Sequence, residues 1–344
     1  MSYVITLAVM DRVISINISR KRTPLNKSET SKLFFSLVGY RNNLFTCNDP
    51  EKILEFYNGF YNRDQLIRWM KERPKGASYI HEVRGDKDII VIILTADFNG
   101  KYAIECRENI FKGLHMIFVE SGEIPDMYFN GAHNVNVGFK KALKHNPKWI
   151  VFSSDDMYKL DDISVLKDSL KKIDPKNVDI VFTQPSKYHS SPERIAEPNF
   201  LYYLYYSIAN RQKNAKILML QKKFGIKYNM CPPKGLFSHL FKKGYEYTEI
   251  QDFAIFSTNW VNLHAGNIYD ETFINAAEDT DLSLKFSLNP ASVGRIKYKI
   301  GDYIGSTLGV GYDRGLRSIA GVCYLNYKWS KELDRLISNN TRKH

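Results

Sequence analysis

Residues 89–95 read IIVIILT, an unbroken run of β-branched and aliphatic side chains. Runs of this kind are typical of strands buried on both faces of a parallel sheet. The run ends at ADFNG (96–100), a loop made of turn-forming residues. We therefore predict a central strand of a buried sheet, followed by a polar loop at its carboxyl end.

Three further apolar runs follow this one, HMIFVE (115–120), KWIVFSS (148–154) and DIVFTQP (179–185). Segments with helical spacing of apolar residues lie between them, at 102–111, 134–145 and 161–170. Strands that alternate with helices predict an α/β fold in which helices flank a mainly parallel sheet. Ligands of such sheets bind outside the carboxyl ends of the strands.

With 344 residues and 44% hydrophobic content, the chain is large enough for a real core plus an accessory part. We divide it into an N-terminal accessory region (1–85) without a catalytic motif, two halves of the α/β domain (86–185 and 186–330), and a C-terminal tail (331–344). The second half contains a long insert at 198–245.

Several classes of protein are disfavoured. The N-terminus does not resemble a secretory signal, and no apolar run approaches the ~20 residues that span a bilayer. The four cysteines lie far apart without a CxxC pair, which argues against a zinc site or a disulfide framework. No P-loop motif is present, and GVGYDRG (309–315) has the wrong spacing for a dinucleotide fingerprint. We expect a reducing cytoplasmic location.

The net charge of +12 is concentrated in the insert. Residues 198–245 contain nine Lys and Arg, many aromatic residues, and no Asp or Glu. Such a surface can bind nucleic acid or the anionic interface of a membrane. The alternative is a solvated basic face over an ordinary core.

Two groups of acidic residues stand out. Asp155 and Asp156 end a predicted strand, where they either form a turn or offer the hard oxygen ligands that divalent cations prefer. Polar residues also end the strands at 95–99 and 120–121, and this convergence favours a ligand pocket over a turn. The second group lies in NIYDETFINAAEDTDLSLKF (267–286), where acids at the start of a helix can simply stabilise its dipole.

The order of these parts resembles that of inverting GT-A glycosyltransferases of the family 2 type. The matching segments are IILTADFN (92–99), IFVES (117–121), NVNVGFKKAL (134–143), VFSSDDM (151–157) and YDETFINAAEDTDLSLKF (269–286). The match as a whole covers roughly 88–329, about two-thirds of the chain. The resemblance implies a GT-A (Rossmann-like) fold, with nucleotide-sugar binding in 86–185 and acceptor binding in 186–330.

The resemblance also implies residue roles. The nucleotide-binding residues would be Thr95, Asp97, Asn99, Glu120, Asn136, Gly138 and Asp155. A divalent cation, Mn²⁺ or Mg²⁺, would be bound by Asp156 and Ser154. Asp279 would be the general base, and Glu278 beside it would orient the acceptor. We add Trp260 as a candidate for stacking on the sugar or acceptor, although a core position is equally open for it.

Three residues depart from the family pattern. Ser154 stands where the family usually has an acid, which weakens a metal site. Lys285 replaces an Arg, so the bidentate fork for phosphate is lost. Tyr303 occupies the region where the family often has a His. These differences leave open an enzyme with a weak metal site or an inactive relative.

The expected reaction is inverting transfer of a sugar from a nucleotide sugar, with UDP marginally preferred over GDP. The acceptor would be a glycan hydroxyl or a lipid-linked phosphate, and the insert would hold the enzyme peripherally on an anionic membrane surface at its inner face. Two other functions stay open: a nucleotidyltransferase on a similar sheet, and a non-catalytic basic protein that binds nucleic acid, which is the least favoured partner.

Overall fold

The computed structural model describes residues 4–9, 12–17, 47, 49–73, 75–121, 130–183, 191–208, 211–274, 276–303 and 312–341. The chain divides into two compact units, Met1–Gly39 and Tyr40–His344. The described part of the first unit is an antiparallel hairpin of β1 (Val4–Val9) and β2 (Arg12–Asn17). Every other element within the described residues belongs to the second unit.

A seven-stranded sheet forms the centre of the second unit. Its strands are β3 (Ser78–Val83), β4 (Asp86–Thr95), β5 (Leu114–Ser121), β6 (Trp149–Ser154), β8 (Ile180–Thr183), β12 (Phe253–Ser257) and β13 (Val293–Ile296). Their order across the sheet is β13-β8-β12-β6-β4-β5-β3. The four predicted apolar runs are confirmed as β4, β5, β6 and β8, apart from residues 184 and 185, which lie outside the described ranges.

The sheet is mixed. Five strands run in one direction, whereas β12 is antiparallel to both its neighbours and β3 is antiparallel to β5. The expectation of a mainly parallel sheet therefore holds for strand direction, but half of the neighbouring pairs are antiparallel. The chain is an α/β protein with a mixed central sheet, compatible with a Rossmann-like fold.

Helices cover both faces of this sheet, and the three predicted at 102–111, 134–145 and 161–170 are confirmed. The described helices are α1 (Pro50–Asn58), α2 (Arg63–Glu72), α3 (Lys101–Glu105, continued by a π turn at Cys106–Ile110), α4 (Gly131–Leu143), α5 (Ile163–Leu170), α6 (Phe200–Ile208), α7 (Arg211–Lys223), α8 (Thr258–Leu263), α9 (Glu278–Ser287) and α10 (Tyr312–Thr341). Side-chain caps fix several starts: Asn130, for example, accepts a hydrogen bond from the N–H of His133 at 2.9 Å.

A small antiparallel sheet adjoins the basic insert. Strand β9 (Ser191–Ala196) lies between β10 (Asn229–Cys231) and β11 (Tyr245–Glu249), and helices α6 and α7 connect β9 to β10. A separate two-stranded pair joins β7 (Met157–Lys159) to β14 (Ile300–Asp302).

Part of the range assigned to the accessory region contributes to this unit. Strand β3 is an edge strand of the central sheet. Helix α1 contacts α10, where the buried hydroxyl of Tyr57 donates to the carbonyl of Arg317 at 3.2 Å and accepts from the N–H of Ala320 at 3.1 Å. None of the helices in the described ranges has the length and apolarity needed to cross a membrane.

Helix α4 packs unusually close to the sheet because of Gly138. A Cβ atom at this position would lie 2.4 Å from Cγ2 of Ile92 in β4 and 3.2 Å from Cγ2 of Val119 in β5. Ile92 and Val119 are fully buried, together with Val135 and Phe139 of the helix. The glycine is therefore required by helix–sheet packing.

Candidate active site at the carboxyl edge of the sheet

The carboxyl ends of β4 and β6 are joined by a side-chain hydrogen bond. Oγ1 of Thr95 donates to Oδ2 of Asp155 at 2.6 Å. The next residue is bonded locally, since Oγ of Ser154 donates to Oδ1 of Asp156 at 2.6 Å. Asp155 thus reaches across to the neighbouring strand, whereas the bond between Ser154 and Asp156 is of the short-range kind that a turn would use.

Two further acids, which the sequence patterns did not single out, lie at the same edge. Because β12 is antiparallel to β6, its amino end lies here, and the N–H of Ser154 donates to the carbonyl of Asp252 at 3.2 Å. Strand β14 brings Asp302, whose side chain is hydrogen-bonded to that of Asp252. The backbone of Tyr303 also donates to the carbonyl of Asp156 at 2.9 Å.

These carboxyl groups repel one another. Burial raises the pKa of Asp155 to about 6, against the lowering effect of the Thr95 hydroxyl, and the charge of Asp156 raises it further. Burial raises the pKa of Asp252 to about 7, and the charges of Asp156 and Asp302 contribute to this rise. The side chain of Asp252 nevertheless contacts solvent, as expected for a group that lines an open cleft.

The second acidic group lies within electrostatic range of the first. Glu278 and Asp279 form the first turn of α9, after Ala277 with a left-handed φ of 73°. Burial raises the pKa of both carboxyl groups, and the pKa of Asp279 is raised further by Glu278 and Asp252. Two groups that lie more than a hundred residues apart in the sequence are therefore electrostatic neighbours.

Glu249 and Arg314 complete the cleft. Burial raises the pKa of Glu249, at the end of β11, to about 7, and Oε1 accepts a hydrogen bond from Oγ1 of Thr280 at 2.8 Å. Arg314, in the first turn of α10, is the cation that interacts with Glu278, Asp279 and Asp252. Its buried Nη1 has no hydrogen-bond partner among the residues that the structure describes.

The other acids of the segment 267–286 hold helices together. Asp281 is buried beneath α10, and its partners are Nζ of Lys285 at 2.9 Å, Nζ of Lys328 at 2.8 Å and Nε1 of Trp329 at 2.7 Å. Lys285, which replaces the family's Arg, is thus bound to a carboxylate of its own helix. Oδ2 of Asp270 accepts from Lys328 at 2.8 Å as well.

Of the predicted nucleotide-binding residues, Asp97 and Asn99 lie exposed in the loop after β4, and the N–H of Asn99 donates to Oδ1 of Asp97 at 2.9 Å. Glu120, at the end of β5, is held by Nε2 of His81 at 2.7 Å. The His81 ring in turn stacks on Phe98 with centroids 4.3 Å apart. These five side chains border the edge at β4 and β5.

The amide of Asn136 is fully used within the protein. Oδ1 accepts from the N–H groups of Ile268 and Tyr269 at 2.9 and 3.0 Å, and Nδ2 donates to the Tyr269 carbonyl and to Oε1 of Glu271 at 2.9 and 3.0 Å. Asn136 thus ties α4 to the segment before α9, as Gly138 ties it to the sheet. Both residues therefore have structural contacts that hold α4 in place beside the site.

Trp260 lies apart from the carboxylates. Strand β12 pairs Phe253 with Ser153 and Ser257 with Trp149, so the helix that follows it begins at the opposite edge of the sheet. There the indole of Trp260 packs on Phe286, with ring centroids 5.0 Å apart. These contacts match the core alternative.

The arrangement can bind a cation and move a proton, because hard carboxylate oxygens and carboxyl groups of raised pKa share one cleft. In the described residues, the three-residue cluster whose ligand atoms already lie within 4.8 Å of one another is elsewhere, at Glu82, His115 and His145. No family model, curated protein or solved structure matches the chain. The interpretation of the cleft therefore rests on its own chemistry.

Proposed function

We propose that the protein is an inverting glycosyltransferase of the GT-A type, which transfers a sugar from a nucleoside-diphosphate donor to an acceptor. The observation that supports this proposal is the electrostatic proximity of the two acidic groups, since Asp252 interacts with Asp156 of the first and with Glu278 and Asp279 of the second. A turn at Asp155 and Asp156, or a helix N-terminus at Glu278, would explain either group alone. Neither explains why the two groups lie within electrostatic range of each other.

The first group suits the diphosphate end of the donor. Departure of a nucleoside diphosphate builds negative charge, which a bound Mn²⁺ or Mg²⁺ neutralises. Asp156 would bind the ion with Asp252, while the hydroxyl of Ser154 orients the Asp156 carboxylate. Burial is the main cause of the raised pKa values of Asp155 and Asp252, and the charge of Asp156 raises both further. A divalent cation would relieve this repulsion, which supports the proposal. Arg314 adds a second positive charge near the diphosphate.

The second group suits the acceptor side. In an inverting transfer the acceptor oxygen attacks the anomeric carbon, the bond to the diphosphate breaks, and the acceptor proton passes to a base. Asp279 takes that role, since its raised pKa makes its carboxylate a stronger base than an ordinary Asp. Glu278 and Glu249 lie beside it and hold the acceptor hydroxyl.

The insert supplies a surface for a membrane-bound acceptor. Helix α6 exposes Phe200, Leu201, Leu204, Tyr205 and Ile208, which recur with a spacing that places them along one stripe. Phe237 continues this stripe through an edge contact with Tyr205, with centroids 5.8 Å apart. We call these six residues the apolar stripe.

The insert that carries the apolar stripe also exposes several lysines. Lys213, Lys222, Lys234 and Lys243 are exposed in the insert, which has no acid to neutralise them between 198 and 245. Apolar side chains flanked by cations bind the interface of an anionic bilayer. A peripheral location on a membrane, and a lipid-linked phosphate as acceptor, follow as parts of the same proposal. A glycan hydroxyl is the other acceptor class.

Two other functions fit less well. A nucleotidyltransferase would need cations in the first loop, whereas the loop after β4 carries Asp97. A protein that binds nucleic acid would use the lysines but not the buried carboxyl groups. An inactive glycosyltransferase relative would keep the fold of the cleft and lose metal-dependent binding.

The first test is calorimetric titration of UDP and GDP into the full-length protein, with and without Mn²⁺. We expect metal-dependent binding of one nucleotide, at least tenfold weaker in Asp156→Ala. The matched control is Asp168→Ala, which removes an exposed acid that pairs with Lys171 at 3.1 Å. If neither nucleotide binds with Mn²⁺, or if Asp156→Ala binds as well as the wild type, the proposed donor site is wrong.

A further inference from the structure

Two histidines and a glutamate meet at the edge of the sheet opposite the carboxylate cleft. Glu82 lies on β3, His115 at the start of β5, and His145 just after the end of α4. Nε2 of His115 and Nε2 of His145 lie 3.1 and 2.9 Å from the same oxygen, Oε2 of Glu82. The rings are tilted against each other, with centroids 4.6 Å apart. We call this set the His–Glu cluster.

The sheet register explains why the cluster forms. Glu82 pairs with Ile117 across the antiparallel β3–β5 ladder, and His115 lies two residues from Ile117, on the same face. This is the face that α4 covers, so the end of α4 brings His145 over Glu82. Strands β3 and β5 and the end of α4 thus each contribute one potential ligand atom, an oxygen of Glu82 and a nitrogen of each histidine.

The distances suit a small transition-metal ion. Zn²⁺ with bonds of 2.0–2.2 Å to nitrogen and oxygen in tetrahedral geometry places neighbouring ligand atoms about 3.4 Å apart. The observed separations of 2.9 and 3.1 Å need to grow by only a few tenths of an ångström. Imidazole nitrogens with one carboxylate oxygen form a ligand set that zinc accepts, with a fourth position left for water.

The surroundings fix the ligands in place. Nζ of Lys141 lies 2.5 Å from Oε1 of Glu82, the oxygen that the histidines do not contact, so Oε2 alone is presented to them. Hydrogen bonds of this kind orient metal-binding carboxylates. The cluster also lies at the carboxyl end of α4, where the helix dipole favours a cation and partly offsets the charge of Lys141. His115 is 2% exposed, whereas Glu82 and His145 contact solvent and give an ion a route of entry.

We propose that Glu82, His115 and His145 form a binding site for a divalent transition-metal ion of the zinc type, separate from the carboxylate cleft. The ion replaces the hydrogen bonds that now join the histidines to Glu82. It cross-links the edge strand β3 to β5 and to the end of α4. The expected consequence is stabilisation of this edge of the sheet.

The test is metal analysis of the full-length protein after chelator treatment, incubation with Zn²⁺ alone and gel filtration. The variants are His145→Ala and Glu82→Gln. The matched control is His133→Ala, which removes a single histidine whose Nδ1 lies 3.0 Å from Oε2 of Glu271, in a pair of similar exposure. Circular dichroism shows which variants are folded, and thermal unfolding with and without Zn²⁺ gives a second measurement.

We expect one zinc ion per chain in the wild type and in His133→Ala, and at least tenfold less in the other two variants. Added Zn²⁺ should raise the unfolding temperature only where it is retained. The proposal is overturned if the wild type retains no zinc, or if His145→Ala and Glu82→Gln retain as much as the wild type. Asp156→Ala should keep its zinc, so failure here and failure of the proposed donor site are distinguishable.

Discussion

The hydroxyl of Thr95 donates a 2.6 Å hydrogen bond to the carboxylate of Asp155, and so links the ends of two neighbouring parallel strands. This bond is the main protein contact that favours the charged form of Asp155, whose burial opposes it. It fixes the position of one carboxylate in the proposed donor site. Its removal should lower the free energy of unfolding and weaken nucleotide binding.

Thr95→Val should therefore lower the free energy of unfolding by about 1–3 kcal/mol at pH 8, because a buried carboxylate is left without its donor. Metal-dependent nucleotide binding should weaken as well. The control is Thr183→Val at the end of β8, where the buried hydroxyl has no partner among the described residues. Chemical denaturation of both variants makes the comparison, and equal losses would contradict the role of the Thr95 bond.

Asp155→Asn should make the protein more stable at pH 8 and leave its stability almost unchanged at pH 3. The pKa of Asp155 is raised to about 6 in the folded state and is about 3.9 when unfolded. Both states are protonated only well below the unfolded pKa, at about pH 3, where the substitution has almost no effect. The destabilisation by Asp155 develops as the pH rises from about 4 to about 6 and is complete above that range. The full difference corresponds to about 3 kcal/mol, which partial solvent contact reduces to about 1–2 kcal/mol. Urea unfolding at both pH values measures it, and an equal change at pH 3 would count against the cause.

Asp279→Asn should lower kcat by a factor on the order of 10²–10⁴, because the acceptor hydroxyl loses its base. Donor binding should stay within a few-fold of the wild type. The control is Asp281→Asn, two residues further along α9, which removes a charge paired with Lys285 and Lys328. That change should reduce the free energy of unfolding and spare kcat in the folded enzyme. The proposed role of Asp279 is refuted if its variant turns over at the wild-type rate.

The double variant Phe200→Ser and Ile208→Ser should lose binding to vesicles that contain anionic lipid. Both side chains belong to the apolar stripe and are 75% and 67% exposed, so their replacement should leave the core intact. The control is Leu263→Ser in α8, where the side chain is 81% exposed outside the insert. Co-sedimentation with anionic and with neutral vesicles is the measurement. If the wild type binds anionic and neutral vesicles equally, the proposed binding to an anionic membrane is wrong.

Gly138→Ala should destabilise the fold by about 1–3 kcal/mol, because its methyl group would enter the space of Ile92 in β4. Gly315→Ala in α10 provides the opposite case. The nearest atom to its Cβ would be Cδ1 of Ile217 at an ordinary 3.6 Å, so the helix should gain about 0.5–1 kcal/mol. Thermal unfolding of the two variants should shift in opposite directions, and shifts of the same sign would show that packing at Gly138 is not limiting.

The central strands could be predicted from the sequence because each is one continuous apolar run. The acids at 155 and 156 could be found because they follow such a run directly. Asp252 and Asp302 could not, because one precedes an antiparallel strand and the other ends a three-residue strand. The apolar run FAIFS at 253–257 was the available signal for Asp252, since a strand of either direction has one end at the cleft.

Other parts of the site depend on long-range contacts that no local pattern encodes. Asn136 matched a nucleotide-site position, yet its amide is saturated by backbone groups 132 and 133 residues away. Lys285 stands where the resembled family has a phosphate-binding Arg, and in the structure it pairs with the buried Asp281. Trp260 was separated from the cleft by the direction of β12, which only the pairing of strands reveals. In each case the residue type was compatible with both roles, and its tertiary neighbours decided.

The short connection between β11 and β12 couples the small sheet beside the insert to the cleft. Only residues 250–252 separate Glu249 from Phe253, a tether of at most about 10 Å when fully extended. The tether is anchored, because Ile250 is buried and its N–H donates to Oγ of Ser283 in α9 at 2.8 Å. The small sheet beside the insert therefore cannot move independently of the cleft. A displacement of β11 would also displace Asp252 and helix α9, which carries Asp279.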